Sequence, residues 1–150
     1  KLVNPIYILG HMLENKKNKI KNLAAHLWLA YESNLSTIKF NYKNIDDIKL
    51  DVEKREKKLP NTPFLEWHYI KNNFFLKANQ LLKNKNKLKK IPIAIVQSDY
   101  DLLCPPSTSF NFAAGLVNCK IFRIECAGHY ISDPGVKEKM KQLLDEYEKK

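Results

Sequence analysis

Residues 91–101 read Ile-Pro-Ile-Ala-Ile-Val-Gln-Ser-Asp-Tyr-Asp, an apolar run that passes directly into a polar turn. A helical segment follows, and a second strand-like run at 120–125 leads into Cys-Ala-Gly-His at 126–129. Continuous apolar runs are typical of parallel strands, which are buried on both faces of a sheet. The order strand, helix, strand therefore predicts an α/β fold with parallel strands joined by a right-handed crossover.

Two residues with acid–base chemistry follow the two predicted strands. Asp101 comes after the first strand and His129 after the second. Because α/β folds place their chemistry at the carboxyl ends of strands, we expect the two side chains at one edge of the sheet. An acid that orients a histidine is two thirds of a hydrolytic triad. Asp99 is the alternative acid, since it lies only two residues before Asp101.

The composition is that of a globular chain with a strong positive charge. Its 150 residues are 44% hydrophobic and 11% aromatic, with a formal net charge of +10. The lysines are spread along the chain and only two arginines occur, whereas base and phosphate recognition favours Arg. We therefore expect no nucleic-acid partner beyond weak, salt-sensitive attraction to polyanions.

Membrane and compartment signals are weak. No apolar run approaches the roughly 18 residues of a membrane span, so no membrane partner is expected. Three cysteines without CxxC spacing argue against a disulfide framework or a zinc site and favour a reducing compartment, the cytoplasm. Because no initiator Met and no signal-peptide pattern occur at the start, we expect a piece of a longer polypeptide.

The first part of the chain is predicted to be helical. Apolar residues recur at steps of three and four between Ile20 and Ile38, which indicates an amphipathic helix with Glu32 at the edge of its apolar stripe. Thr62-Pro63, ahead of Glu66, predicts a second helix with Thr as N-cap and Pro at the first helical position. The aromatic residues that follow are expected in the core, and they are Trp67, Tyr69, Phe74 and Phe75.

A lysine-rich segment separates the helical part from the α/β part. Residues 83–90 read Lys-Asn-Lys-Asn-Lys-Leu-Lys-Lys and precede the first predicted strand. We interpret them as a linker, with a helical cap segment at 1–85 and the C-terminal α/β part at 86–150. Asp133-Pro134 is predicted to cap a last helix, because apolar residues at helical spacing follow it.

Four motifs in chain order resemble those of prolyl aminopeptidases (proline iminopeptidases), which are serine peptidases with an α/β-hydrolase fold. Residues 91–105 resemble the late strand and acid turn of that family, and 127–129 resemble its histidine loop. Residues 28–32, Trp-Leu-Ala-Tyr-Glu, are similar to its Trp-x-x-Trp-Glu motif. Residues 66–72, Glu-Trp-His-Tyr-Ile-Lys-Asn, are similar to Glu-Asn-His-Tyr-Phe-x-Asn. The resemblance implies the C-terminal part of an α/β-hydrolase fold with a helical cap.

The resemblance also implies roles for four residues. Asp101 aligns with the family's acid and is preferred over Asp99 as the residue that orients His129, the catalytic base. Glu32 and Glu66 are implied to bind the free amino end of an N-terminal proline. Peptides with an N-terminal proline are therefore the expected substrates. We expect neither a cofactor nor a metal ion.

Two departures from the family pattern stand out. Ser98-Asp99 occupies the place of Gly-Arg, which removes a positive charge beside the acid. No Gly-x-Ser-x-Gly elbow occurs, although the triad order in α/β-hydrolases is Ser, acid, His. We therefore expect the C-terminal half of the enzyme, inactive alone and completed by the missing N-terminal half. Its open sheet edge makes a homodimer a secondary hypothesis.

Other interpretations stay open. The missing elbow also fits a noncatalytic interaction module that kept the hydrolase fold. Another capped α/β-hydrolase, such as an epoxide hydrolase or an esterase, would share the acid and the histidine, but the cap glutamates argue against it. A polyanion-binding protein would bind tightly at physiological salt. Catalysis by Cys104 with a histidine is the most remote interpretation.

Overall fold

The computed structural model describes residues 4–39, 44–54 and 61–149. The chain divides into two compact units. The first unit comprises Lys1–Asn34 and Asn41–Lys77, and the second comprises Leu35–Phe40 and Ala78–Lys150. No helix within the described ranges is long and apolar enough to cross a membrane.

The first unit is helical around a small apolar core. Its helices in chain order are α1 (Pro5–Leu13), α2 (Asn18–Ser36, whose last two residues belong to the second unit), α3 (Ile45–Lys54) and α4 (Thr62–Lys71). Helix α2 confirms the helix predicted from the apolar spacing. The core residues are Leu13, Ala24, Ala25, Trp28 and Trp67.

Helix α1 owes its start and its packing to three residues. Asn4 Oδ1 accepts a hydrogen bond from Ile6 N at 3.1 Å, and Pro5 opens the helix, which are the usual signals of a helix N-terminus. Gly10 lies against the indole of Trp67, since a Cβ at Gly10 would come within 2.2 Å of Trp67 Cε3. A glycine at this position therefore lets α1 pack directly on α4.

The start of α4 differs from the prediction. Asn61, not Thr62, is the N-cap, and it makes no side-chain capping bond. Thr62 and Pro63 are the first two helical residues. Proline is tolerated there because the first-turn N–H groups have no partner within the helix.

The predicted burial of the aromatic residues is correct only for Trp67. Tyr69, Phe74 and Phe75 are 47%, 57% and 63% exposed. For the two phenylalanines the reason lies in the backbone of Asn73–Phe75, whose φ angles of 50°, 54° and 56° form a left-handed turn one residue after α4. Because the chain leaves the helix before Phe74 and Phe75, neither residue belongs to the face of α4 that packs on the core.

The second unit contains a two-stranded parallel sheet. Its elements in chain order are α5 (Gln80–Asn84), a 3₁₀ turn (Lys85–Leu88), β1 (Ile93–Ser98), α6 (Pro106–Ala113), β2 (Cys119–Ile124) and α7 (Val136–Glu148). The strands pair from Ile93 opposite Cys119 to Ser98 opposite Ile124. Both predicted strands and their parallel pairing are therefore confirmed.

The lysine-rich segment 83–90 forms local structure. It includes the end of α5 and the 3₁₀ turn, and Lys85 Nζ donates to Ala114 O at 2.5 Å and to Asn111 O at 3.2 Å. These carbonyls lie at the C-terminal end of α6, where a cation satisfies otherwise unpaired acceptors.

The start of α7 also differs from the prediction. Gly135, with φ of 84°, is the N-cap, and its N–H donates to Glu138 Oε2 at 2.9 Å. Asp133 does not cap the helix, because its Oδ2 accepts from Gly128 N at 2.6 Å. Asp133 therefore stabilises the loop after β2 rather than the start of α7.

An apolar groove of about 330 Å³ lies between β1 and α7. Among the strands of the described ranges, only β2 pairs with β1, so the second edge of β1 has no strand partner there. Met140, Leu144 and Tyr147 on α7 are 37%, 61% and 44% exposed. The groove residues include Pro92, Ala94, Val96, Met140, Leu144 and Tyr147.

Candidate active site

The turns after β1 and β2 are joined by backbone hydrogen bonds. Asp99 N donates to Ile124 O at 3.1 Å, and Tyr100 N donates to Ala127 O at 3.1 Å. Because parallel strands end at the same edge of a sheet, these bonds keep the two turns side by side after the strands finish. The turn after β1 holds Asp101, and the turn after β2 leads to His129.

Both carboxylate oxygens of Asp101 make hydrogen-bond contacts. Oδ1 accepts from Leu103 N at 3.0 Å and from Cys104 N at 2.8 Å. Oδ2 lies 3.0 Å from Nδ1 of His129. The residue is only 8% exposed, so the histidine contact takes place in a partly dry environment where hydrogen bonds are stronger.

The loop that carries His129 is fixed by its backbone. His129 N donates to Ser36 O at 2.8 Å, and Gly128 N donates to Asp133 Oδ2 at 2.6 Å. A Cβ on Gly128 would lie 2.4 Å from Ser36 O. Only glycine allows this approach, and the approach places the imidazole beside Asp101.

The alternative acid, Asp99, has a different partner. Arg123 on β2 donates from Nε to Asp99 Oδ1 at 3.0 Å and from Nη2 to Oδ2 at 2.9 Å. The hydrogen bonds to Asp99 raise the pKa of Arg123. This bidentate ion pair occupies both carboxylate oxygens of Asp99. The residue that contacts His129 is therefore Asp101. Arg123 also supplies a positive charge beside the acid turn, where the sequence comparison indicated that one was lost.

Cys104 lies next to the pair without the properties of a nucleophile. Partial burial raises the pKa of its thiol, and the charge of Asp101 raises it further. Because the thiolate is the reactive form of cysteine, this environment keeps Cys104 protonated at neutral pH. All three cysteines of the chain are free thiols.

The two candidate substrate-binding glutamates belong to the first unit. Trp28, only 1% exposed, donates from Nε1 to Glu66 Oε2 at 2.6 Å. Glu32 is half-buried and follows Trp28 by four residues on α2, so it lies on the same side of the helix one turn later. Trp28 thus bonds to Glu66 and lies one helical turn before Glu32 on α2.

The site combines an acid–histidine pair with the carboxyl edge of a parallel α/β sheet, an arrangement typical of hydrolases that use a triad.

No family model matches the chain. A protein of Mycoplasma pneumoniae, provisionally named a proline iminopeptidase, is 31% identical over 134 residues, 89% of this chain and 41% of its own length. The proline iminopeptidase of Arabidopsis thaliana is 29% identical over 84% of this chain and 34% of its own length.

The proline iminopeptidase of Neisseria gonorrhoeae is 28% identical over 127 residues, 82% of this chain and 37% of its own length. The resemblance to proline iminopeptidases that the motifs indicate is therefore confirmed along most of the chain. The chain spans between about a third and two fifths of the length of these curated relatives.

Proposed function

We propose that the chain is the C-terminal part of a proline iminopeptidase, a serine peptidase of the α/β-hydrolase fold. The observation that carries the proposal is the 3.0 Å contact between His129 Nδ1 and Asp101 Oδ2 beyond the ends of two parallel strands. The similarity to proline iminopeptidases supports the substrate class, peptides with an N-terminal proline.

The acid–histidine pair would move the protons of peptide cleavage. Asp101 accepts the Nδ1–H of His129 and fixes the tautomer in which Nε2 is free to act as a base. His129 then takes the proton of a serine hydroxyl and returns it to the leaving amine. The side chain of His129 is 39% exposed, so the ring is open to a reacting group.

Glu32 and Glu66 would bind the charged amino end of the substrate. The hydrogen bond from Trp28 fixes one oxygen of Glu66 and thereby sets the direction of the other. A partly dry carboxylate pair is left without a counter-ion when the substrate lacks the amine, and sites of this type reject such analogues by roughly 10⁴-fold. Glu32→Gln and Glu66→Gln in the complete enzyme are expected to abolish most proline-amide cleavage, and survival of activity in both would contradict this role.

The missing N-terminal half would cover the open side of the sheet. The relatives are more than twice as long as the matched segment, and the groove beside β1 is apolar and exposed. An upstream segment that adds a strand to β1 would bury this surface and supply the serine.

Without that segment, the open edge of β1 favours pairing between copies of this chain. Light scattering on the isolated chain should therefore show a dimer, and a clean monomer would contradict this hypothesis.

The isolated chain should have no peptidase activity. Removing the serine of a triad enzyme costs on the order of 10⁶ in rate, about 8 kcal/mol of transition-state stabilisation. Purified chain incubated with a proline-amide reporter tests this expectation, and turnover that depends on His129 would contradict it.

The free thiols support a cytoplasmic location, since disulfides are rare in that reducing compartment.

A noncatalytic interaction module is the second candidate. The absence of a Gly-x-Ser-x-Gly elbow from the 150 residues favours it. The coding sequence upstream of Lys1 separates the two candidates, since a serine elbow there supports the enzyme and an unrelated or absent segment supports the module.

A further inference from the structure

A cluster of three potential metal ligands surrounds the acid–histidine contact. Asp101, Cys104 and His129 each offer one ligand atom, and these atoms all lie within 4.8 Å of one another. Among residues 4–39, 44–54 and 61–149, no other group of three His, Cys, Asp or Glu side chains comes together in this way. The spacing of the three residues in the sequence gives no sign of it, because they come from two separate turns.

Hydrogen bonds position the residues that carry the three ligand atoms. Cys104 N donates to Asp101 Oδ1 at 2.8 Å, which fixes the backbone of the cysteine beside the carboxylate. His129 is fixed from the other turn by its bond to Ser36 O at 2.8 Å. Asp101 is buried, whereas Cys104 and His129 are exposed, so an ion can enter from solvent and keep a water molecule as a fourth ligand.

The donor set is one imidazole nitrogen, one thiol sulfur and one carboxylate oxygen. This combination suits Zn²⁺, which binds such ligands at about 2.0–2.3 Å with tetrahedral geometry. Ligand atoms in that geometry lie roughly 3.5 Å apart, so small side-chain rotations bring atoms that are within 4.8 Å of one another into range. A sulfur ligand disfavours the hard cations Mg²⁺ and Ca²⁺.

We propose that Asp101, Cys104 and His129 form a binding site for Zn²⁺ or a similarly soft divalent cation. Binding releases the Cys104 thiol proton to solvent, since the thiolate is the ligand. Coordination at Nδ1, the ring nitrogen of His129 that lies 3.0 Å from Asp101 Oδ2, requires the free lone pair of that nitrogen, so the ring proton moves from Nδ1 to Nε2. A bound ion therefore breaks the hydrogen bond that the acid–histidine pair needs.

Inhibition follows if the proposed function is correct. The ion takes the atoms through which Asp101 orients His129, so Zn²⁺ binding and proton transfer by this pair exclude each other. The inhibition rests on the proposed function, whereas the binding rests only on the three side chains. A binding measurement on the whole chain therefore tests the site separately from peptidase activity.

The test is a Zn²⁺ titration against a chromophoric chelator, in buffer with a non-thiol reductant, for the chain and two variants. Cys104→Ser removes the sulfur ligand and should weaken binding more than about tenfold, since loss of even an outer-shell partner often costs that much. Cys126→Ser is the matched control, because Cys126 is also an exposed free thiol but lies outside the cluster, and its variant should bind as the parent chain does.

Co²⁺ provides a second readout that does not depend on a variant remaining folded. The parent chain should show a thiolate-to-cobalt charge-transfer band and should bind one equivalent. Three results would each overturn the site. The first is the absence of that band, and the second is an equal Zn²⁺ affinity of Cys104→Ser and the parent chain. The third is a loss of Zn²⁺ affinity in Cys126→Ser as large as that in Cys104→Ser.

Discussion

Arg123 holds both carboxylate oxygens of Asp99, at 3.0 and 2.9 Å. Asp99 and Asp101 follow the same strand and differ by two positions, so either could orient a histidine on grounds of spacing. The bidentate pair with a planar guanidinium is a strong and specific arrangement, and it leaves Asp101 as the acid that contacts His129.

The first prediction compares the two acids in the complete enzyme. Asp101→Asn should lower kcat for a proline-amide reporter by about 10⁴-fold, because the amide no longer holds the Nδ1–H tautomer of His129. Asp99→Asn, the matched control, should lower kcat by less than about tenfold. Steady-state kinetics on the purified variants make the comparison, and similar losses in both would show that the acid was wrongly assigned.

The second prediction concerns the partly buried hydrogen bond between Trp28 and Glu66. Trp28→Phe should lower the free energy of unfolding by about 2 kcal/mol, since Glu66 loses a donor to a charged acceptor. Glu66→Gln keeps an acceptor oxygen and should cost less than about 1 kcal/mol. Urea denaturation followed by circular dichroism measures both, and a larger loss in Glu66→Gln than in Trp28→Phe would argue against the bond.

The third prediction tests the contact between α1 and α4. Gly10→Ala should lower the free energy of unfolding by about 3 kcal/mol, because the new methyl group would overlap the Trp67 ring at 2.2 Å. Gly115→Ala is the control, since no atom lies within 4 Å of its Cβ position and only its φ of 77° is unfavourable, at a cost of about 1 kcal/mol. Equal losses in the two variants would mean that α1 does not pack on Trp67.

The fourth prediction concerns an exposed ion pair. Lys71 Nζ lies 2.5 Å from Glu14 Oε1, and this bond is the main reason that the pKa of Glu14 is lowered. Because the folded pKa lies below the unfolded one, the pair stabilises the fold above the unfolded pKa and loses that effect as pH falls through the folded pKa.

An NMR titration of the Glu14 carboxyl carbon measures this shift. Lys71→Gln should move the pKa of Glu14 upward, whereas Lys16→Gln, which removes a charge close to Glu14 in sequence but no observed bond, should change it much less. A Glu14 pKa that is unchanged by Lys71→Gln would contradict the pairing.

The sequence predicted the parts of the site that depend on strand order. Continuous apolar runs identify β1 and β2, and residues that follow parallel strands meet at one edge, so the approach of Asp101 and His129 could be anticipated. The pairing of Asp99 with Arg123 could not, because the partners lie 24 positions apart and the contact depends on strand register.

Two predictions from the local sequence were wrong, one for a helix cap and one for the burial of two aromatic residues. Asp133 has the pattern of a helix cap, but the N–H of Gly128 binds its carboxylate and Gly135 caps α7 instead. Phe74 and Phe75 are expected in the core because they are aromatic, but they form part of a left-handed turn and are exposed. The ligand cluster at Cys104 depends on the same meeting of two turns and has no sequence signature.

Proline-amide hydrolysis by the complete gene product and by its His129→Ala variant tests the acid–histidine pair most directly. His11→Ala is the control, because the His11 side chain is also exposed, at 72%, and lies outside the four motifs. We predict that the parent and the control hydrolyse the reporter and that His129→Ala is slower by on the order of 10⁶-fold. Hydrolysis that survives His129→Ala, or a complete gene product that does not cleave the reporter, would contradict the proposed function.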